Sequence, residues 1–281
     1  MTSWITPDEA KAAIRDGTGK GIKVAVLDTG IETMHPRLAG MKLLDDIAIV
    51  SEGNTLNACA GEGQDVYGHG TAIAGIIHAI APEAEIGSFR VLGHQLGSRT
   101  TILCEGVRQA LEMGYSILNC SIGCPGVSKY LMGFKTWIDE AYLKGVHIVT
   151  ACSNENFRFR EWPSHFPSVI SVSMVRTDRM DKLFYRRGHL VEFAARGENI
   201  ELLWKGGGTK KSSGSSFAAP VAAAILARLL SVYSDLSPLV AKELLRETSE
   251  PWSDSLDSDY SHTQILNKPG PIEQVLLGPP S

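Results

Sequence analysis

The chain has 281 residues, 43% of them hydrophobic, with a formal charge of −4 and a pI near 6.1. Near-balanced charge excludes the basic footprint of a nucleic-acid binder. The longest apolar run, 218–230, is too short to span a bilayer and is broken by Arg228. The opening stretch MTSWITPDEAKAAIRDGTGK is polar and lacks the apolar centre of a signal peptide. Five cysteines (Cys59, Cys104, Cys120, Cys124, Cys152) form an odd set without metal-site spacing. They are expected to be reduced, mostly buried thiols of a cytoplasmic protein, with no metal ion and no cofactor.

The first element is a short β-branched run, IKVAVL at 22–27, ending at Asp28-Thr29-Gly30. It predicts a strand buried on both faces and then a turn. Runs of the same kind follow at 84–91, 116–122, 146–151 and 169–175. Helical stretches are predicted at 69–79, 101–113, 130–144, 216–231 and 237–248. Such alternation implies crossover connections: a three-layer α/β/α fold around a mostly parallel central sheet. No linker or repeat divides the chain, so one domain is expected over 1–281, with its core at about 20–277. Segment 40–67, with Asp45, Asp46, Glu52 and Glu62, reads as a solvated rim or a substrate lid. Segment 253–262 reads as a loop, and 271–277 as a short closing helix.

The residues able to do chemistry lie at the ends of these elements, where parallel sheets place their sites. Asp28 ends the first strand, His69 opens a helix in Gly68-His69-Gly70-Thr71, and Ser216 opens another in Gly214-Ser215-Ser216-Phe217. A serine hydroxyl needs a base to become a nucleophile, and a neutral imidazole serves near pH 7. That imidazole needs a carboxylate to fix its tautomer and stabilise its charged form. The order Asp, His, Ser is that of subtilisin, not of chymotrypsin or the α/β-hydrolases. Taken singly, each residue has a plainer reading as a turn residue, a structural histidine or a helix N-cap.

Together with their surroundings they are decisive. VAVLDTGIETMHPRL resembles the aspartate block of the subtilase (subtilisin-like serine protease) family, GHGTAIAGII its histidine block, and SGSSFAAPVAAAIL its serine block. In the last of these, Ser215 and Phe217 stand where Thr and Met are commoner. APEAEIGSFRVLG, ILNCSIGCP, HIVTACSNE and WPSHFPSVISV match further segments in order, so the likeness runs from about residue 20 to 276. The resemblance implies a serine endopeptidase with Asp28, His69 and Ser216 as its triad and Asn154 as oxyanion donor. It implies that Ser121, Ile122 and Gly123 meet the acyl side of a peptide or protein substrate. Aligning Trp162-Pro163 with the family's aromatic-Pro pair puts Glu161 at the base of the S1 pocket, with Glu155 at its rim. Those carboxylates would favour Arg or Lys at P1, unless Arg158 or Arg160 neutralises them.

The chain departs from the family at a calcium site. It lacks the loop that many secreted members insert in the histidine helix, and Pro36-Arg37-Leu38 puts a cation where an aspartate ligand is usual. Two other functions compete with endopeptidase. One is a peptide transamidase or macrocyclase of ribosomal peptide maturation, which would need a helical shield that 40–67 does not suggest. The other is a silent peptide-binding module, against which the intact triad argues.

Overall fold

The computed structural model describes residues 4–53, 55–154 and 160–256. The chain opens with helix α1 (Pro7–Asp16), started by a reciprocal cap. The Thr6 hydroxyl accepts from Glu9 N, and the Glu9 carboxylate accepts from Thr6 N at 2.7 Å. Strand β1 (Lys23–Asp28) follows, then β2 (Lys42–Glu52) and β3 (Thr55–Ala60), helix α2 (His69–Ile80), β4 (Glu85–Arg90) and α3 (Thr100–Glu112). The middle of the chain holds β5 (Ile117–Cys120), β6 (Cys124–Pro125), α4 (Ser128–Leu143), β7 (His147–Ala151), β8 (Glu161–Trp162) and β9 (Ile170–Val175). The last elements are β10 (Leu183–Tyr185), β11 (Phe193–Arg196), β12 (Ile200–Trp204), β13 (Gly208–Ser212), α5 (Ser215–Leu230), α6 (Pro238–Thr248) and β14 (Glu250–Pro251).

Ten strands form one sheet in the order β14-β10-β11-β9-β7-β5-β1-β4-β2-β3. Every pairing in it is parallel except β2–β3 and β10–β11. Strand alternation divides β1 between two cores. Val24 and Val26 join α1, α2, α5 and α6 on one face, while Ala25 and Leu27 join α3 and α4 on the other. This is the three-layer α/β/α arrangement predicted from the alternating runs.

Segment 40–67 is a rim, but one built of strands rather than loop, with β3 largely exposed. β2 lies parallel to β4, and β3 returns as the sheet's edge, because 43–50 (LLDDIAIV) is apolar enough to be half-buried. Two of its acidic residues are engaged, Asp45 accepting from the Tyr115 hydroxyl at 2.6 Å and Asp46 from Gly63 N, while Glu52 and Glu62 are exposed. Among its described residues this segment contains no helix. The predicted closing helix 271–277 lies outside the described residues. Among the described residues no helix is long and apolar enough to cross a membrane. The five cysteines are unpaired, and Cys59, on β3, is exposed.

Candidate active site

The parallel register delivers Asp28 to the C-terminal edge of the sheet, fully buried. Its Oδ1 accepts from Thr29 N at 2.8 Å. His69 is the first residue of α2, and its Nδ1 lies 2.9 Å from both carboxylate oxygens of Asp28. Gly68 just before it has φ 119°, and a Cβ there would meet the Trp204 indole at 2.6 Å, so backbone angle and space both require glycine. Ser216 stands in the first turn of α5, and its Oγ is 2.9 Å from His69 Nε2. The Phe217 ring packs 5.0 Å from the imidazole.

Burial of the imidazole opposes its charging. The Asp28 carboxylate, by charge and by hydrogen bond, and Asp65 behind it outweigh that effect, so the ring is held above its ordinary value despite an opposing pull from Lys210. The environment therefore favours the imidazolium that forms when His69 takes the serine proton.

Asp65 went unnoticed in the sequence. This buried carboxylate accepts from five donors. Its Oδ1 takes Thr29 Oγ1, Tyr67 N and Gly68 N, and its Oδ2 takes Thr71 N and Thr71 Oγ1, all at 2.6–2.9 Å. Asp65 thus binds the turn after β1 to the first turn of α2, and so sets Asp28 against His69. The available signal was an acidic residue shortly ahead of a helix start, the usual place for a capping carboxylate.

The remaining predicted residues converge on the Ser216 turn from the ends of β5 and β7. Asn154 Oδ1 accepts from Ser215 N at 2.8 Å, which leaves its NH2 available to another acceptor. Ser121 Oγ donates to the Ser216 carbonyl at 2.9 Å and accepts from Asn119 Nδ2. Ile122 and Gly123 line a cleft together with Leu92, Leu103, Phe134 and Trp162. Glu161 sits on β8, beside the cis Trp162–Pro163 bond, with its carboxylate against Gly123. A Cβ at Gly123 would lie 2.2 Å from Glu161 Oε1, so only glycine lets the carboxylate approach this backbone. Glu161 Oε2 accepts from Ser164 Oγ at 3.1 Å, and Ser153 N–H also donates to the carboxylate. Arg160 makes no ion pair with it. Glu155 and Arg158 lie outside the described residues. At the position where a family calcium ligand would stand, Arg37 pairs with Glu201 at 3.5 Å.

A serine on a helix start, a histidine bridging it to a buried carboxylate and an amide-bearing side chain beside it define a serine hydrolase of the acyl-enzyme type. The model of the subtilase family matches residues 19–269, and the chain belongs to that family. Among curated relatives, the minor extracellular protease Epr of Bacillus subtilis is 33% identical over 80% of this chain and 34% of its own length. Subtilisin DY of Bacillus licheniformis is 28% identical over 84% of this chain and 86% of its own. The chain spans 61% of subtilisin E of Bacillus subtilis, at 26% identity. Among solved structures, a cold-adapted subtilisin-like serine proteinase superposes with a TM-score of 0.69 at 25% identity, covering 88% of each chain. The S41 psychrophilic protease gives 0.68 at 27% identity, over 88% of this chain and 90% of its own.

Proposed function

We propose that this chain hydrolyses peptide and protein substrates after arginine or lysine. In the first step His69 Nε2 takes the Ser216 proton while Oγ attacks the scissile carbonyl, and Asp28 stabilises the imidazolium. The negative oxygen of the tetrahedral intermediate is met by Asn154 NH2 and the Ser216 backbone N–H, at the positive end of α5. His69 then gives its proton to the departing amine, and water, activated by the same imidazole, releases the acyl group. The segment Ser121–Gly123 would hold the acyl side of the substrate. The chain's five unpaired thiols suit a reducing, cytoplasmic setting, which cell fractionation tests.

The observation that supports a basic P1 residue is the seat of Glu161. Its carboxylate is pressed against Gly123, held by Ser153 N–H and Ser164 Oγ, and has no basic partner among the described residues. Burial pushes its carboxyl up to about 7, and the two donors only partly offset this. Below that value the group is mostly neutral; above it, the pocket carries a charge that pairs with a guanidinium or ammonium.

The ratio of kcat/KM for P1-Arg over P1-Leu peptides is therefore expected to rise about tenfold or more from pH 5.5 to 8.5. Because His69 acts on both peptides, its own titration cancels in the ratio. In Glu161→Gln the ratio should be low and flat with pH. A wild type that prefers P1-Leu, or a ratio untouched by Glu161→Gln, rules the assignment out.

A further inference from the structure

The hairpin β12–β13 leads directly into the nucleophile turn and packs against α2, the helix that begins with His69. Leu202 pairs with Lys210, and Trp204 with Gly208, so Trp204 and Lys210 are diagonal neighbours on one face of the ribbon. The Lys210 ammonium lies 4.2 Å from the centre of the Trp204 ring and 5.9 Å from that of Tyr67. Those two rings meet edge to face at 5.6 Å. Trp204 touches Gly68, and Tyr67 is two residues ahead of His69. The cation is thus mounted on an aromatic step at the α2 side of the site, whereas Glu161 occupies the β5–β7 side. It is close enough for its charge to be felt by the catalytic imidazole.

Two features separate Lys210 from an ordinary surface lysine. First, its platform is fixed. The Glu32 carboxylate accepts from Gly206 N and Gly207 N at 3.0 and 3.2 Å. His35 Nε2 donates to the Gly208 carbonyl at 2.9 Å, and Lys205 Nζ to the Val66 carbonyl at 3.0 Å. Secondly, nearby carboxylates are already committed: Glu32 to those turn amides, Glu201 to Arg37, and Asp65 to its five donors. Among the described residues no carboxylate lies within ion-pair distance of Lys210. Lysine and aromatic rings together make an exposed cation site, stacked on two rings and without a paired anion among the described residues.

We infer that Lys210 is a specificity determinant, recognising an acidic side chain adjacent to the scissile bond on the His69 side of the substrate. That side chain can come from the first residue of the leaving group, P1′, or from P2 of the acyl group; both pass the imidazole. The inference rests on the peptidase reading but is independent of Glu161.

The test uses matched peptides carrying Asp, Asn or Lys at P1′, and a second set varied at P2, each with Arg and with Leu at P1. The Asp-to-Asn ratio of kcat/KM is expected to be about fivefold at one of the two positions, on either P1 background. It should shrink toward one as salt rises to about 1 M, vanish in Lys210→Gln and invert in Lys210→Glu. The ratio is taken within one enzyme preparation, so a general loss of activity in a variant cancels, and fluorophosphonate labelling shows that each variant retains a formed site. Preference at P1′ or at P2 supports the inference and identifies which residue is read. A ratio near one at both positions, or one unchanged in Lys210→Gln, overturns it. A failed P1 assignment would instead appear in the Arg-to-Leu ratio.

Discussion

Replacing Ser216 with alanine is expected to abolish fluorophosphonate labelling and to lower kcat on the order of a millionfold, a scale taken from subtilisin itself. The reason is geometric: Ser216 Oγ lies within hydrogen-bonding distance of His69 Nε2, and Asp28 is linked to Ser216 through that imidazole. His69→Ala should be nearly as damaging, and Ser216→Ala with His69→Ala scarcely worse than either alone, since the triad works as a unit. Losing Oγ leaves the α5 turn held by Asn154 and Ser121, so circular dichroism and melting should match the wild type. Cleavage by a pure Ser216→Ala preparation at anything near the wild-type rate would remove the nucleophile assignment.

Asp65→Ala should produce the largest loss of stability, about 3–5 kcal/mol. It would strand five donors that now converge on one buried carboxylate: two hydroxyls and three backbone N–H groups. Rate should fall with stability, because the same bonds keep the turn after Asp28 against the start of α2. Asp65→Asn is a sharper probe. Its amide carbonyl can serve the Thr29, Tyr67 and Gly68 donors, but its NH2 would face Thr71 N–H and the Thr71 hydroxyl, donor against donor. A partial loss is expected in that variant, read by thermal melting and by the rate of probe labelling. Wild-type melting in Asp65→Ala would mean that water satisfies these groups and that Asp65 does not position the histidine.

What the sequence disclosed follows from how each feature is encoded. Strands buried on both faces read as unbroken apolar runs, so 22–27, 84–91 and 169–175 were found within a residue or two of β1, β4 and β9. Asp28, His69 and Ser216 were legible because each sits in a block whose glycines and small residues are dictated by close packing around it. Helix α1 was missed although Thr6, Pro7 and Glu9 carry the capping-box spacing; its charged surface hid a short apolar stripe. The β2–β3 hairpin reads in sequence only as a solvated rim or lid, because Asp45 and Asp46 interrupt its apolar run. Those charges are instead answered by Tyr115 and Gly63, partners distant or inconspicuous in sequence. Lys210 could not have been found at all. Its neighbours Tyr67 and Trp204 are brought together by the hairpin's fold against α2, a relation that no local pattern records.

Every residue of α5 except Ser216 and Arg228 is buried, and the helix runs about 24 Å from the nucleophile to the far side of the molecule. There Arg228 Nε donates to the Gly17 carbonyl just past α1. A helix so enclosed has no local route to solvent, so its amides exchange hydrogen only when the whole core comes apart. The nucleophile is therefore coupled to the global unfolding equilibrium, unlike sites carried on loops that open and close independently. Heat or denaturant will leave few molecules that are folded but inert.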